Sequence, residues 1–147
     1  MKCTIICAGR LKESYFADAV NEYAKRLSRY CTLKIEEVND GPDPASEAAR
    51  IIKKIPGDAY IITCEIKGER YSSEEFAGKL ESIMVNGNNH IVFIIGGSDG
   101  LDESVISTAH LHLSFSDLTF PHMLMRVILV EQIYRAFRIL NNEPYHK

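Results

Sequence analysis

The chain has 147 residues, a net charge of −3, 46% hydrophobic residues and 25% charged ones. That is the make-up of one soluble globular domain with a sizeable core, and the negative charge argues against a protein that binds nucleic acid through bulk charge alone. No apolar run approaches the roughly 20 residues of a membrane span, and the short apolar stretch of the opening MKCTIICAGR, with no small-residue cleavage site behind it, does not make a signal peptide; the expectation is a cytoplasmic protein.

In chain order, Lys2–Ala8 reads as a first strand. Glu13–Arg29 reads as a helix, because Phe16, Val20, Tyr23, Leu27 and Tyr30 recur at steps of three and four. Thr32–Val38 is a second strand, NDGPDP a loop with turn chemistry, and Ala45–Ile55 a short helix closed by Pro56-Gly57. Ala59–Ile66 reads as a third strand followed by a polar loop, KGERYSS. Ser72 and Glu75 form a capping box for a helix to about Val85, and NGNN breaks it. His90–Ile95 is a fourth strand, Asp102–His110 a helix, and the alternation of Leu111, Leu113 and Phe115 a short fifth strand. The last helix spans about Met123 to Leu140. Strands alternate with helices throughout, without repeats or low-complexity linkers. The pattern predicts one α/β domain over residues 1–147, with a mainly parallel sheet and helices on both faces.

Charge is unevenly spread. Residues 1–30 carry six basic and three acidic side chains, residues 121–147 four and two, and the stretch between them seven and fifteen. If the two ends meet in the fold they form a positive face able to meet phosphates; the plainer reading is a mixed solvated surface. The four cysteines read as buried reduced thiols: Cys3, Cys7 and Cys64 in strand-like stretches, Cys31 between helix and strand. Cys3 and Cys7 share a strand face about 13 Å apart at 3.3 Å per residue, too far for a disulfide or a shared metal. His110 and His112 share a strand face without a third ligand, so no metal is expected. His90 reads as a strand-edge residue, and His122 as a cap or packing residue rather than a substrate contact.

Three stretches invite a functional reading. The first is IIGGSDGL, Ile94–Leu101, at the end of the fourth strand. It lacks the first glycine of a dinucleotide fingerprint, and no P-loop string exists. Its glycines are either a plain tight turn or a bed for a flat ring or ribose at bare backbone. Asp99, Asp102 and Glu103 make the surroundings acidic, which disfavours polyphosphate and suits a neutral or cationic nucleoside. The second is the final helix. Seven of its first eight residues, Met123–Val130, are apolar, so its start needs cover on two sides, either from a second copy of the chain or from a loop of the same chain. Arg126, the exception, needs an anion or several acceptors: a structural ion pair or a substrate contact. The third is the tail. Tyr145, His146 and Lys147 are either a frayed terminus or a compact kit of stacking ring, proton acceptor and cation.

IIGGSDGL, then LSFSDLTFPHMLMRVILVEQIYRA, then a terminal PYHK together resemble the RlmH-type SPOUT methyltransferases, and the likeness runs from AGRLKESYF through IITCEI to the last residue. The resemblance implies a trefoil-knotted α/β domain acting as a homodimer, a topology that periodicity does not reveal and that the general rule against threaded chains opposes. It implies a methyltransferase that uses S-adenosyl-L-methionine to methylate N3 of pseudouridine 1915, in helix 69 of 23S rRNA, on the assembled ribosome. Carried over by position, the cofactor contacts fall on Cys64, Gly96 and the run Phe115, Ser116, Asp117, Leu118, Thr119 and Phe120. Cys64 stands where the family often has leucine, and the chain ends in lysine where some members have arginine. Catalytic expectations attach to His146 as base, to Tyr145 as the residue that stacks on the target, and to Lys147 and Arg126 as groups that steady negative charge or grip phosphate. Two rival readings remain: a non-catalytic nucleoside-binding dimer on the same fold, and a flavodoxin-like electron carrier. The second needs a hydroxyl-rich loop after the first strand, where this chain has GRLKES.

Overall fold

Parallel pairing sets the architecture. In the computed structural model, which describes residues 1–147, five strands form one sheet: β1 (Lys2–Ala8), β2 (Thr32–Val38), β3 (Tyr60–Arg70), β4 (His90–Ile95) and β5 (Leu111–Ser114). Their order is β2-β1-β4-β3-β5, with every neighbouring pair parallel. Each parallel step needs a crossover, supplied by α1 (Ser14–Leu27), α2 (Pro44–Lys54), α3 (Ser73–Val85) and α4 (Glu103–Ile106), while α5 (His122–Leu140) ends the chain. Local chemistry starts three of these helices. Asp43 accepts from the Ser46 N–H ahead of Pro44, the Ser72–Glu75 capping box is formed in both directions, and Asp102 accepts from the Ser104 N–H.

The two-residue period of the strands divides the core into two layers. Cys3, Ile5, Cys7, Ile91, Phe93 and Ile95 face α1, α3 and α5. Ile6, Ala8, Val92 and Ile94 face α2 and α4, where Ile51 and Val105 meet them. The expected α/β class, with helices on both faces of a parallel sheet, is what the chain adopts. No helix is long and apolar enough to cross a membrane.

Several local expectations need correction. The polar stretch after Ile66 is strand: β3 bulges between Cys64 and Glu69, then pairs again with β5 as far as Arg70. Gly68 permits the bulge, since a Cβ there would lie 2.7 Å from the Leu113 carbonyl carbon. The helix expected over 102–110 is a single turn, Glu103–Ile106, because the His110 N–H is already drawn to the Ile61 carbonyl of β3. Phe115 lies beyond β5, which stops at Ser114. His90 is not at a sheet edge; it opens the inner strand β4, with Nε2 at 2.9 Å from the Thr4 hydroxyl.

One consequence of the strand order positions the functional region. β5 is an edge strand, whereas α5 begins beside the end of β1, three strands away, where the Met123 side chain packs at Gly9. Residues 115–121 therefore cross about 14 Å of sheet, three spacings of about 4.8 Å, over the carboxyl ends of β3 and β4. This path is consistent with the knotted terminus that the resemblance implies.

The cysteines are free, and Cys3, Cys7 and Cys31 are buried. Desolvation pushes the Cys31 thiol up to about 11 and that of Cys7 to about 12. A thiol whose folded pKa lies above its ordinary value of 9.0 favours the fold at lower pH. That stabilisation is expected to be complete below about pH 8.5 and lost progressively up to pH 12. Urea unfolding followed across this range should show stability declining with alkalinity, and thiol reagents at pH 8 should label Cys3, Cys7 and Cys31 only after denaturant is added.

Candidate active site at the carboxyl edge of the sheet

Open parallel sheets bind ligands beyond their strand carboxyl ends, and here that edge is built by β1, β3, β4 and the crossing run. Cys64 of β3 is level with Leu113 of β5, and its neighbour Thr63 with Ile94 of β4. Gly96, the first residue past β4, therefore stands about one residue above Cys64. Ser114 donates to the Ile66 carbonyl at 2.8 Å, and Arg70 holds Asp117 at 2.7 Å, tying the start of the run to the end of β3. Within the run the Ser116 hydroxyl accepts from the Leu118 N–H, and the Leu118 side chain is 71% exposed. Cys64, Gly96 and residues 115–120 thus come together at one edge. The Cys64 thiol is desolvated and its pKa raised far above the ordinary value, so it offers an apolar contact rather than a nucleophile.

The glycine loop serves its own fold first. Gly97 and Gly100 pair across a tight turn, with Gly100 at φ +84°. A Cβ on Gly96 would lie 2.4 Å from the Gly100 carbonyl oxygen. A Cβ on Gly97 would come within 3.1 Å of the Glu47 carboxylate. That carboxylate, which the sequence did not single out, is only 5% exposed; Oε1 accepts from the Gly41 N–H at 3.3 Å and Oε2 has no hydrogen-bond partner. A buried carboxyl group with one unsatisfied oxygen lies directly under the loop. The turn reading of these glycines is correct, and it leaves the loop's outer backbone and an acidic underside available to a ligand.

Arg126 requires a correction. It is 1% exposed, so it is not free to contact a substrate. One terminal nitrogen donates to Glu37 at 2.6 Å; the other donates to the carbonyls of Ala8 at 3.1 Å and Gly9 at 2.5 Å. It is a structural tether between α5, β1 and β2. Gly9, at φ +86°, turns the chain here, with His122 Nε2 3.7 Å from the place a Cβ would take.

The tail is ordered rather than frayed, and it lies on the α3–α5 face. Arg138 donates to the Pro144 carbonyl at 2.9 Å and pairs with Glu143, which also accepts from the Tyr30 hydroxyl. The Tyr145 ring lies edge-on to Tyr134 and 4.7 Å from the Arg135 guanidinium, and its hydroxyl donates to Glu131 at 3.0 Å. Burial, then hydrogen bonds with Tyr23 and Glu131, holds that phenol protonated well above its ordinary range. His146 Nδ1 is 3.2 Å from Arg135, and Nε2 is 2.7 Å from Glu74. Arginine only donates, so Nδ1 accepts and the Glu74-facing nitrogen carries the proton. Both ring nitrogens are engaged. Glu74 lies four residues beyond Arg70, which keeps the tail tip near the end of β3. Lys147 is exposed. His110 and His112 have separate partners, the Ile61 N–H and the Glu65 carboxylate.

Two cavities lie away from this edge: about 480 Å³ around Ile52, Pro56 and His110, and about 390 Å³ around Glu37, Arg50 and Lys53.

A doubly covered parallel sheet with a glycine turn and a crossing strap at its carboxyl edge defines a class: α/β proteins that bind a small ligand on strand-end backbone. The comparisons make the assignment narrower. The family model described as "Predicted SPOUT methyltransferase" matches residues 1–146, and the chain belongs to that family. The chain is 46% identical to the ribosomal RNA large subunit methyltransferase H of Acetivibrio thermocellus, 48% to that of Ruminiclostridium cellulolyticum and 49% to that of Clostridium botulinum, each alignment spanning the whole of both chains. A solved structure described as a "probable methylase family protein from Haemophilus influenzae Rd KW20" shares the fold at a TM-score of 0.59 and 16% identity, over 99% of this chain and 70% of that one. Family membership displaces the flavodoxin-like reading.

Two variants separate the roles of tether and loop. Arg126→Ala leaves Glu37 and two carbonyls without their donor, and urea denaturation should show a loss of about 3 kcal/mol. Gly96→Ala forces its methyl group into the Gly100 carbonyl; a loss of about 2 kcal/mol or more is expected, and unchanged stability would mean that the loop is not closed on itself.

Proposed function

We propose that this protein is an S-adenosyl-L-methionine-dependent methyltransferase acting on N3 of a pseudouridine in helix 69 of 23S rRNA within the ribosome, and that it works as a knotted homodimer. The observation that carries this reading is the whole-length likeness to large-subunit RNA methyltransferases, combined with the meeting of Cys64, Gly96 and residues 115–120 at one sheet edge. The residues there fit the cofactor. Cys64, Phe115 and Leu118 offer apolar surface for a flat ring, the turn offers backbone groups, and the buried Glu47 carboxylate suits a positively charged donor. The cofactor supplies an electrophilic methyl group on a sulfonium.

The chain supplies alignment, dryness and proton handling. Ser116, Asp117 and Thr119 lie along the rim of the bed, and Arg70 steadies Asp117. His146 is the candidate base, and to act it must leave Arg135 and Glu74 so that a ring nitrogen is free. Tyr145 then stacks on or orients the target base, while the Lys147 cation stabilises the developing negative charge. A second copy of the chain supplies what the single chain lacks: cover for Met123, Leu124, Met125, Val127 and Ile128, all half-buried at the start of α5, and a further wall for the edge.

The test is tritiated-methyl transfer to ribosomes with and without the pseudouridine. Incorporation only where the pseudouridine is present is expected; binding of the cofactor without transfer would leave a non-catalytic nucleoside-binding dimer. Deleting Tyr145–Lys147 should lower transfer by about 100-fold or more, the scale of a lost acid–base group. Cofactor affinity by calorimetry should change less than about threefold. Full activity of the shortened protein would remove the tail from the reaction.

A further inference from the structure

Seven of the eight arginines have a polar partner within the chain: Arg26, Arg29, Arg70, Arg126, Arg135 and Arg138 in ion pairs, Arg50 on a backbone carbonyl. Arg10 has none. It is exposed, as is Lys12 two residues on, which also lacks a partner. Neither belongs to the bed or the tail described above. An unpaired guanidinium beside an unpaired ammonium is unremarkable on a loose loop, but this loop is held. The Gly9 N–H donates to the Val38 carbonyl at 2.9 Å, the Gly9 and Ala8 carbonyls accept from buried Arg126, and the Leu11 N–H donates to Glu37 at 3.1 Å. Leu11 packs on the core. With residues 9 and 11 fixed, Arg10 and Lys12 are presented outward from a rigid base, with little conformational entropy left to lose in the backbone.

The position of the loop matters as much as its rigidity. Cys7 of β1 is level with Ile95 of β4, so the chain at Gly9 rises beside the Gly96–Gly97 turn. A Cβ on the same glycine would lie 3.3 Å from Met123 Cε and 3.7 Å from His122 Nε2, and both residues directly follow the crossing run. The two free cations therefore flank the edge where the methyl donor is placed.

We propose that Arg10 and Lys12 form a phosphate-gripping rim that docks the backbone of the substrate RNA against this edge. The inference rests on the proposed rRNA methyltransferase reading and adds to it the residues that hold the RNA. Arg10 provides a planar fork for phosphate oxygens, and Lys12 a second point charge two residues along. A net-acidic protein needs such a local patch, because its average charge repels RNA. Two carboxylates lie by the loop: Glu37 is already engaged by Arg126 and the Leu11 N–H, and Asp40, whose Oδ2 is 3.7 Å from the place a Gly9 Cβ would take, forms no ion pair with Arg10 or Lys12.

The experiment compares the wild-type full chain with Arg10→Ala/Lys12→Ala, Arg10→Lys, and a control, Lys79→Ala, which removes a half-buried charge without a polar partner from α3. Sedimentation binding to ribosomes and methyl transfer are both measured over a range of salt, with cofactor affinity by calorimetry and folding by thermal melting. The double variant should melt as the wild type does, bind the cofactor normally, and show KM for ribosomes raised about tenfold at nearly unchanged kcat. The slope of log affinity against log salt should become shallower by about one to two, roughly one per phosphate released. Arg10→Lys should retain part of the affinity. Unchanged KM and salt slope would overturn the proposal, as would an equal loss in Lys79→Ala, which would mean diffuse charge. Weakened cofactor binding would also overturn it, placing Arg10 on the carboxylate of the donor instead. Wild-type protein that binds ribosomes in an Arg10-dependent way without transferring methyl would refute the proposed reaction while leaving the rim standing.

Discussion

One buried guanidinium organises the functional end of this molecule. Arg126 sits at the start of an otherwise apolar helix, almost fully desolvated, where an unpaired cation would cost several kcal/mol. Its terminal nitrogens are satisfied by two carbonyls from the end of β1 and a carboxylate from β2, while Nε has no partner. The arrangement anchors α5 at the one place where the chain, returning from the far edge strand, re-enters the core. Without that anchor the strap 115–121 would have a fixed beginning and a free end.

Held at both ends, the strap gains a function that its sequence does not announce. It is irregular backbone laid across strand ends, where carbonyl and N–H groups are not consumed by a ladder. The glycine turn opposite it is closed upon itself, with Gly96 against Gly100 and Gly97 against Glu47, so it forms a firm wall. Glu47 lies beneath that wall, with Oε2 left without a hydrogen-bond partner. The same tether fixes Gly9 and, through Glu37, Leu11, so the cofactor bed and the basic rim are positioned by the same few hydrogen bonds.

The tail shows a different economy. Its aromatic ring, histidine and backbone are engaged by Arg135, Arg138, Glu131 and Glu74, a network built almost wholly from i,i+4-type neighbours on α5 and one residue of α3. Such partly exposed pairs are individually weak. They order the tail without committing it, which suits groups that must turn toward a substrate.

Much was legible without coordinates. β1, β2 and β4 follow from apolar runs bounded by turn residues, the start of α3 from its capping box, and the alternating strand–helix pattern led directly to a parallel sheet with two covered faces. Cys64, Gly96 and 115–120 were reached by resemblance, and the fold brings them together. Other features were hidden. The extension of β3 through KGER is polar because it bulges and runs past its pairing with β4, keeping β5 alone as a neighbour, so no hydrophobic period marks it; an isolated glycine is its only signal. Arg126 reads as needing acceptors, yet whether they come from protein or substrate depends on segments 89 to 118 residues away. Glu47 carries no sign in the sequence that it is buried. The sequence by itself determined the local elements, because period, caps and turns are written in neighbouring residues. Only the tertiary structure decided which charges are buried, which are paired and which remain free, because a charge's fate is set by dielectric and partners that the chain brings near only when it folds.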